Sequence, residues 1–232
     1  MSQKLCLILL MALGELFGAE QLLLVVTDTM ERPSGSLQRY EWHNSSFIPV
    51  GEPVTVNVGR NGLGIGLGMP FEAPEEAPYK HEGDGRAPAG IFALQKAFGY
   101  APSFATKMPY TQATPDLICI DDSDAAGYNT LRRVDAGSVI KSFEWMRRED
   151  DLYALGVTVA HNAQALPGRG SCIFLHVEKG KGQPTSGCTS MSKEALEMIV
   201  RWLDPDKSPL LVQVPRSLCK RIEGQFSGVS CP

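Results

Sequence analysis

The sequence predicts a mainly β domain of sandwich or barrel type with a few helices. Short runs rich in β-branched and aromatic residues recur along it, several alternating apolar and polar positions. Gly, Pro, Asn and Asp clusters separate these runs, where alternating βαβ units would need long helical segments. The length, 232 residues, is enough to bury a substantial core.

Residues 1–19 open with one lysine and an apolar run from Leu5 to Leu13, which is too short to span a bilayer comfortably. This is the pattern of a secretory signal peptide, with a cut expected after Ala19. Residues 20–232 are then expected to form a single domain with a short C-terminal tail. Strands are predicted at 21–28 (QLLLVVTD), 37–43 (LQRYEWH), 53–60 (PVTVNVGR) and 90–97 (GIFALQKA). Three more are predicted at 152–161 (LYALGVTVAH), 171–177 (SCIFLHV) and 210–215 (LLVQVP).

The glycine-rich stretch VGRNGLGIGLG (58–68) lacks the following helix and acidic residue of a dinucleotide fingerprint, so a flexible loop beside a cleft is expected. One helix is predicted to include 142–150 (SFEWMRRED). A second is capped by Ser192, carries Ala195, Leu196, Ile199, Val200 and Leu203 at helical spacing, and ends at Asp204-Pro205.

Hydrophobic content is 43% and charged content 21%, both ordinary for a globular domain. Net charge is −4 with no block of like charges, which argues against a nucleic-acid partner. No segment after the leader offers about 18 consecutive apolar residues, so no membrane span is expected. The domain is expected to act as a monomer. HExxH and CxxC are absent and the four histidines, at 43, 81, 161 and 176, are scattered, so neither a metal nor a cofactor is expected.

Removing the leader leaves five cysteines: Cys119, Cys172, Cys188, Cys219 and Cys231. An odd count in an exported protein flags one free thiol. Cys219 and Cys231 bracket a short C-terminal loop and are natural partners in an oxidising compartment. Cys119 with Cys172 would complete the set and leave Cys188 free, although other connectivities stay open.

Nucleophilic catalysis needs a thiolate, a base for its proton, and donors aimed at the developing oxyanion. Cys188 follows Gly187, whose missing side chain lets substrate approach, and the amides of Gly187 and Cys188 can serve as donors. His176 closes a predicted strand twelve residues earlier and is a workable base. The alternative is an ordinary buried cysteine near an ordinary histidine. His161, at the end of another strand, is the rival base and otherwise a substrate contact, whereas His43 and His81 read as surface residues.

The segment HVEKGKGQPTSGCTSM (176–191) is similar to the signature of L,D-transpeptidase catalytic domains, the YkuD-type family, in which a histidine precedes an [S/T]-x-G-C motif. KHEGDGRAPAGIF (80–92) resembles that family's GDGxTPxGxF segment. CIDDSDAAGYNTL, RREDDLYALGV and GRGSCIFLHV resemble its exported bacterial branch with TAGC-type motifs, and together these segments cover most of 21–214.

The resemblance implies a β-rich L,D-transpeptidase fold, a periplasmic or cell-wall location, and peptidoglycan stem peptides as substrate. Cys188 would attack the carbonyl of the third stem residue and release the terminal D-alanine. An amine of a neighbouring stem would then resolve the thioester. Resolution by water would make the protein an L,D-carboxypeptidase or amide hydrolase instead. His176 would hold the proton and Thr185 would hydrogen-bond near the site.

Ser186 and Ser190 stand where the common family form has histidine and arginine, and Val177 where a glycine often follows the histidine. Substrate-carboxylate recognition therefore falls to other groups, with Ser186, Ser190, Arg86 and Arg169 as candidates. Asp84, in EGDGR, reads as a turn residue. Sortase-like enzymes place the two residues farther apart, and papain-like enzymes run cysteine before histidine, whereas no histidine follows Cys188. A non-catalytic cell-wall-binding protein on the same scaffold is the non-enzymatic alternative.

Overall fold

A computed structural model describes residues 18–134 and 140–231. The expected leader, apart from its last two residues, lies outside the described residues. The strands are β1 (Gln21–Thr27), β2 (Ser34–His43), β3 (Ser46–Asn57), β4 (Leu63–Ile65), β5 (Ala87–Gly99), β6 (Tyr110–Gln112) and β7 (Leu117–Ile120). They continue with β8 (Leu131–Arg133), β9 (Phe143–Trp145), β10 (Leu155–Val159), β11 (Phe174–Val177), β12 (Thr189–Met191) and β13 (Leu210–Pro215). Helix α1 (Lys193–Trp202) lies between β12 and β13, and α2 (Cys219–Glu223) follows β13.

Pairing runs β10-β11-β12-β3-β2-β1-β13-β5, and β5 pairs back with β10, so these strands close into a barrel. Closure removes the unpaired edges that an open sheet would expose. Most pairs are antiparallel, but β1–β13 and β11–β12 are parallel. β4 and β6 lie parallel along β5. A separate antiparallel sheet has the order β8-β7-β9.

Alternation along each strand sorts side chains between the barrel's two faces. Leu23, Val25, Leu37, Val56, Val58, Val157, Leu175 and Met191 build the inner cluster, which α1 joins through Leu196, Ile199 and Val200. On one outer face Leu22, Leu24, Tyr40, Phe47, Val212 and Val214 are covered by the C-terminal segment through Leu218, Ile222 and Phe226. On another, Phe98, Tyr153, Cys172, Phe174 and Cys188 pack against Leu117 and Cys119 of the small sheet. Burying one such aliphatic or aromatic side chain stabilises by about 1.5–3 kcal/mol.

The mainly β expectation holds, and all seven predicted strands are present, the one at 210–215 with its predicted ends and the others with shifted ends. The helix predicted over 142–150 is absent. Phe143 and Trp145 instead alternate with Glu144 and pair with β7, and the chain then turns where Asp150 accepts from the Leu152 amide. The glycine-rich stretch is no loose loop either, since it contains β4 and is pinned by Gly59 pairing with Gly62 and with Thr185. The helix after TSGCTSM is capped as expected, with Ser192 Oγ accepting from the Ala195 amide. However, β12 intervenes, so Cys188 leads into a strand and not directly into that helix.

Candidate active site

Cys188 ends the loop that leaves β11 and immediately precedes β12, which returns parallel to β11. The parallel register sets His176 directly beside Ser190, so His176, Ser190 and Cys188 all reach one side of the sheet. These three line a cavity of about 520 Å³ together with Lys80, Glu82, Glu144, Arg148, Tyr153, Thr185, Ser186 and Gly187. Gly187 has φ +156°, and a Cβ there would lie 3.1 Å from the Arg86 carbonyl oxygen, so the close approach of that backbone favours glycine.

Among the described residues Cys188 is the free cysteine, and disulfides join Cys119 to Cys172 and Cys219 to Cys231, one of the connectivities the sequence left open. Its Sγ accepts from the Phe174 amide at 3.3 Å and donates to the Cys172 carbonyl at 3.4 Å. Burial pushes the thiol up to about 12, and the Glu144 charge adds to this, while the Phe174 amide and Lys80 act against it. The resting group is therefore a thiol, not a thiolate.

His176 is 3% exposed. Its Nδ1 lies 2.7 Å from the Val177 carbonyl, which can only accept, so the proton of the neutral ring sits on Nδ1 and Nε2 is left basic. Burial lowers its pKa to about 4, partly offset by the Val177 carbonyl. Among the described residues no hydrogen bond joins His176 to Cys188. The site thus holds a neutral thiol and a neutral imidazole on one wall, and any use of the thiol as a nucleophile would need its proton transferred as it attacks.

The expected oxyanion donors are partly engaged. The Gly187 amide donates to Thr185 Oγ1 at 3.1 Å, and Thr185 Oγ1 donates to the Cys188 carbonyl at 2.6 Å. Thr185 is therefore a brace for the Cys188 backbone. Ser186 accepts from an Arg60 guanidinium nitrogen at 3.3 Å, which places a cation beside the loop that carries Cys188.

Other candidates fall elsewhere. Arg86 does not line the cavity; its guanidinium donates to the Asn61 and Leu63 carbonyls at 2.6 and 2.9 Å. Arg169 lies off this wall as well. His161 lines a different cavity, of about 410 Å³, with Cys119, Asn129 and Cys172. Burial lowers its pKa to about 4, and neither ring nitrogen has a hydrogen-bond partner among the described residues. The structure thus brings together His176, Thr185, Ser186, Gly187, Cys188 and Ser190, and sets Arg86 and His161 apart. Asp84 ties its own turn by accepting from the amides of His81 and Arg86 at 2.8 and 2.9 Å, and it pairs with Lys80 at 2.6 Å.

Comparison with known proteins returned no match. No family model, curated protein or solved structure matches the chain.

Lys80, Glu144, Arg148 and Tyr153 join the wall without having been singled out from the sequence. The Tyr153 ring meets His176 edge-on at 5.5 Å, and its hydroxyl donates to Glu144 Oε2 at 2.5 Å. Arg148 is held by Asp150 through two contacts of 2.9 and 2.8 Å. Lys80 donates to the His81 carbonyl at 2.6 Å as well as to Asp84. A cavity that mixes such held charges with a thiol and an imidazole suits a polar, amide-bearing substrate. Among the described residues no cluster of three or more His, Cys, Asp or Glu is arranged to hold a metal ion.

Proposed function

We propose that the protein is a cysteine-dependent acyltransferase of the L,D-transpeptidase type, acting on peptidoglycan stem peptides through a thioester at Cys188. The observation that carries this reading is the free thiol of Cys188 sharing one cavity wall with His176, whose Nε2 has no partner among the described residues. The substrate class rests on the resemblance of residues 80–92 and 176–191 to that family.

In this reading a scissile carbonyl enters beside Cys188. His176 Nε2 takes the thiol proton as Sγ attacks, and the tetrahedral intermediate expels the terminal D-alanine, whose nitrogen receives that proton. The amine of a second stem then attacks the thioester and restores the thiol. Export to the periplasm or cell wall is part of the same reading, and the two disulfides are compatible with it.

The test is incubation of the purified protein with muropeptides and mass spectrometry of the products, for the native protein and Cys188→Ala. Cross-linked dimers with the native protein and none with the variant are expected. Unchanged muropeptides with both proteins would overturn the reading.

A further inference from the structure

Among the described residues β9 is an edge strand of the small sheet, whose order is β8-β7-β9. Its alternation turns Glu144 toward the Cys188 cavity and sets Phe143 and Trp145 together on the other face. There the two rings meet edge-on at 4.9 Å, and Trp145 is 46% exposed. Their partners on β7, Ile120 and Ile118, are fully buried, so the rings rest on a packed base. The open indole, braced by a second ring, presents a flat and electron-rich face.

The rings line an open cleft of about 890 Å³ together with Arg147 and Glu149. Glu144, Arg148 and Asp150 line both this cleft and the Cys188 cavity, so the two spaces adjoin. Its polar groups are held before any ligand arrives. The Arg147 guanidinium lies 4.2 Å from the centre of the Tyr100 ring, and Arg148 pairs with Asp150 at 2.8 Å.

The charges of the cleft nearly cancel. Asp150 matches Arg148, Glu149 stands against Arg147, and burial raises the Glu144 pKa, toward the uncharged acid. Neither an anion nor a cation is therefore selected. A protein partner is a poor fit too, because two rings of about 150–250 Å² each fall short of the roughly 800 Å² per side of a stable interface. A neutral ligand with an apolar face and a rim of hydroxyls matches all of these features. A pyranose ring has that form: its axial C–H groups stack on an indole, and its hydroxyls bond fixed guanidinium and carboxylate groups.

We propose that the Phe143–Trp145 cleft binds a sugar of the glycan strand that carries the stem peptide, holding the strand while the stem reaches Cys188. The inference rests on the acyl-transfer reading above for the stem and its attachment to sugar. Three extended residues, from the sugar to the third stem carbonyl, reach about 10 Å. That is enough to cross β9 over its open edge, from the Trp145 face to the Glu144 face.

The probe is tetra-N-acetylchitotetraose, a sugar oligomer without peptide, titrated into the purified protein by calorimetry. The native protein is expected to bind it, with affinity about tenfold weaker in Trp145→Ala and largely kept in Trp145→Phe, which retains a flat ring. Arg147→Met leaves the indole in place, removes a fixed donor, and should weaken binding about threefold. In turnover, the native protein should favour a disaccharide-linked tetrapeptide over the free tetrapeptide, and Trp145→Ala should lose most of that preference through KM.

A native protein that does not bind the oligomer, or equal affinity in the native protein and in Trp145→Ala and Arg147→Met, overturns the inference even where muropeptides are converted. Trp145-dependent binding by a protein that never converts muropeptides upholds the sugar site and sinks the acyl-transfer reading alone.

Discussion

Tyr153 connects a half-buried carboxylate to the candidate base: its hydroxyl donates to Glu144 Oε2 at 2.5 Å while its ring meets His176 edge-on at 5.5 Å. Glu144 in turn pushes the Cys188 thiol upward through its charge, and burial raises the carboxyl's own pKa. One residue thus lies between the group that opposes thiolate formation and the candidate base.

Glu144→Gln keeps the shape and an acceptor oxygen but removes the negative charge. The Cys188 thiol should ionise more readily, so alkylation by iodoacetamide at pH 9 should speed up, by up to about tenfold if the relief reaches one pKa unit. An unchanged or slower rate would show that this charge does not govern the thiol.

Tyr153→Phe retains the ring against His176, Phe98 and Phe174 but leaves the Glu144 acceptor without its donor. A loss of about 1 kcal/mol in unfolding free energy is expected, the net worth of one hydrogen bond at a half-buried carboxylate. Urea denaturation measures it, and a midpoint equal to that of the native protein would contradict the assignment.

His161 and His176 both titrate near 4 in the folded chain against an ordinary value near 6.5. Below 6.5 the unfolded chain takes up protons that the folded chain refuses, so the stability each provides is complete above about 6.5 and is lost as pH falls toward 4. The loss should reach on the order of 2–3 kcal/mol per histidine. His161→Gln should flatten the pH dependence of the urea midpoint within that window. A slope identical to the native one would remove His161 from the account.

The Cys119–Cys172 bond spans 53 residues and fastens β7 to the turn just before Phe174, whose amide meets Cys188 Sγ. The second bond spans 12 residues of the C-terminal segment. Loop-closure entropy assigns about 4 kcal/mol to the longer loop and about 3 kcal/mol to the shorter. Cys119→Ser with Cys172→Ser should therefore cost more than the paired serine change at Cys219 and Cys231. It should also speed labelling of Cys188, while the C-terminal pair should not; equal labelling in both variants would uncouple the disulfide from the site.

Much of this arrangement is legible in the chain because strand alternation and cysteine arithmetic are local or countable. β1, β5 and β13 carry enough consecutive apolar or alternating positions to declare themselves. β8, β9 and β12 are three residues each, too short for a period to register, and a glutamate amid aromatic residues made β9 resemble a helix. Barrel closure depends on β5 meeting β10, a pairing distant in sequence that no local pattern encodes. The same holds at the site: His176 and Cys188 stand twelve residues apart, but Asn57 reaches Ser190 only through sheet register. Arg86 looked like an anion binder because its residue type suits carboxylates, yet two backbone carbonyls claim its guanidinium.

Gly156 tests whether the ring stack behind His176 is as tight as its register implies. It pairs with His176 on one side and Phe98 on the other, so it occupies the same transverse row as the candidate base. A Cβ at this position would lie 2.3 Å from Phe98 Cζ and 2.8 Å from both Cε atoms. The Phe98 ring has little freedom to retreat, being edge-packed by Phe174 at 5.1 Å and Tyr153 at 5.9 Å. Gly156→Ala should thus destabilise by about 1–3 kcal/mol, the usual cost of overpacking a filled core. Because displaced Phe98 presses on Tyr153, the muropeptide turnover that the proposed function assigns should fall even at temperatures where the variant stays folded. A variant with native stability and native turnover would show that the stack yields without disturbing His176.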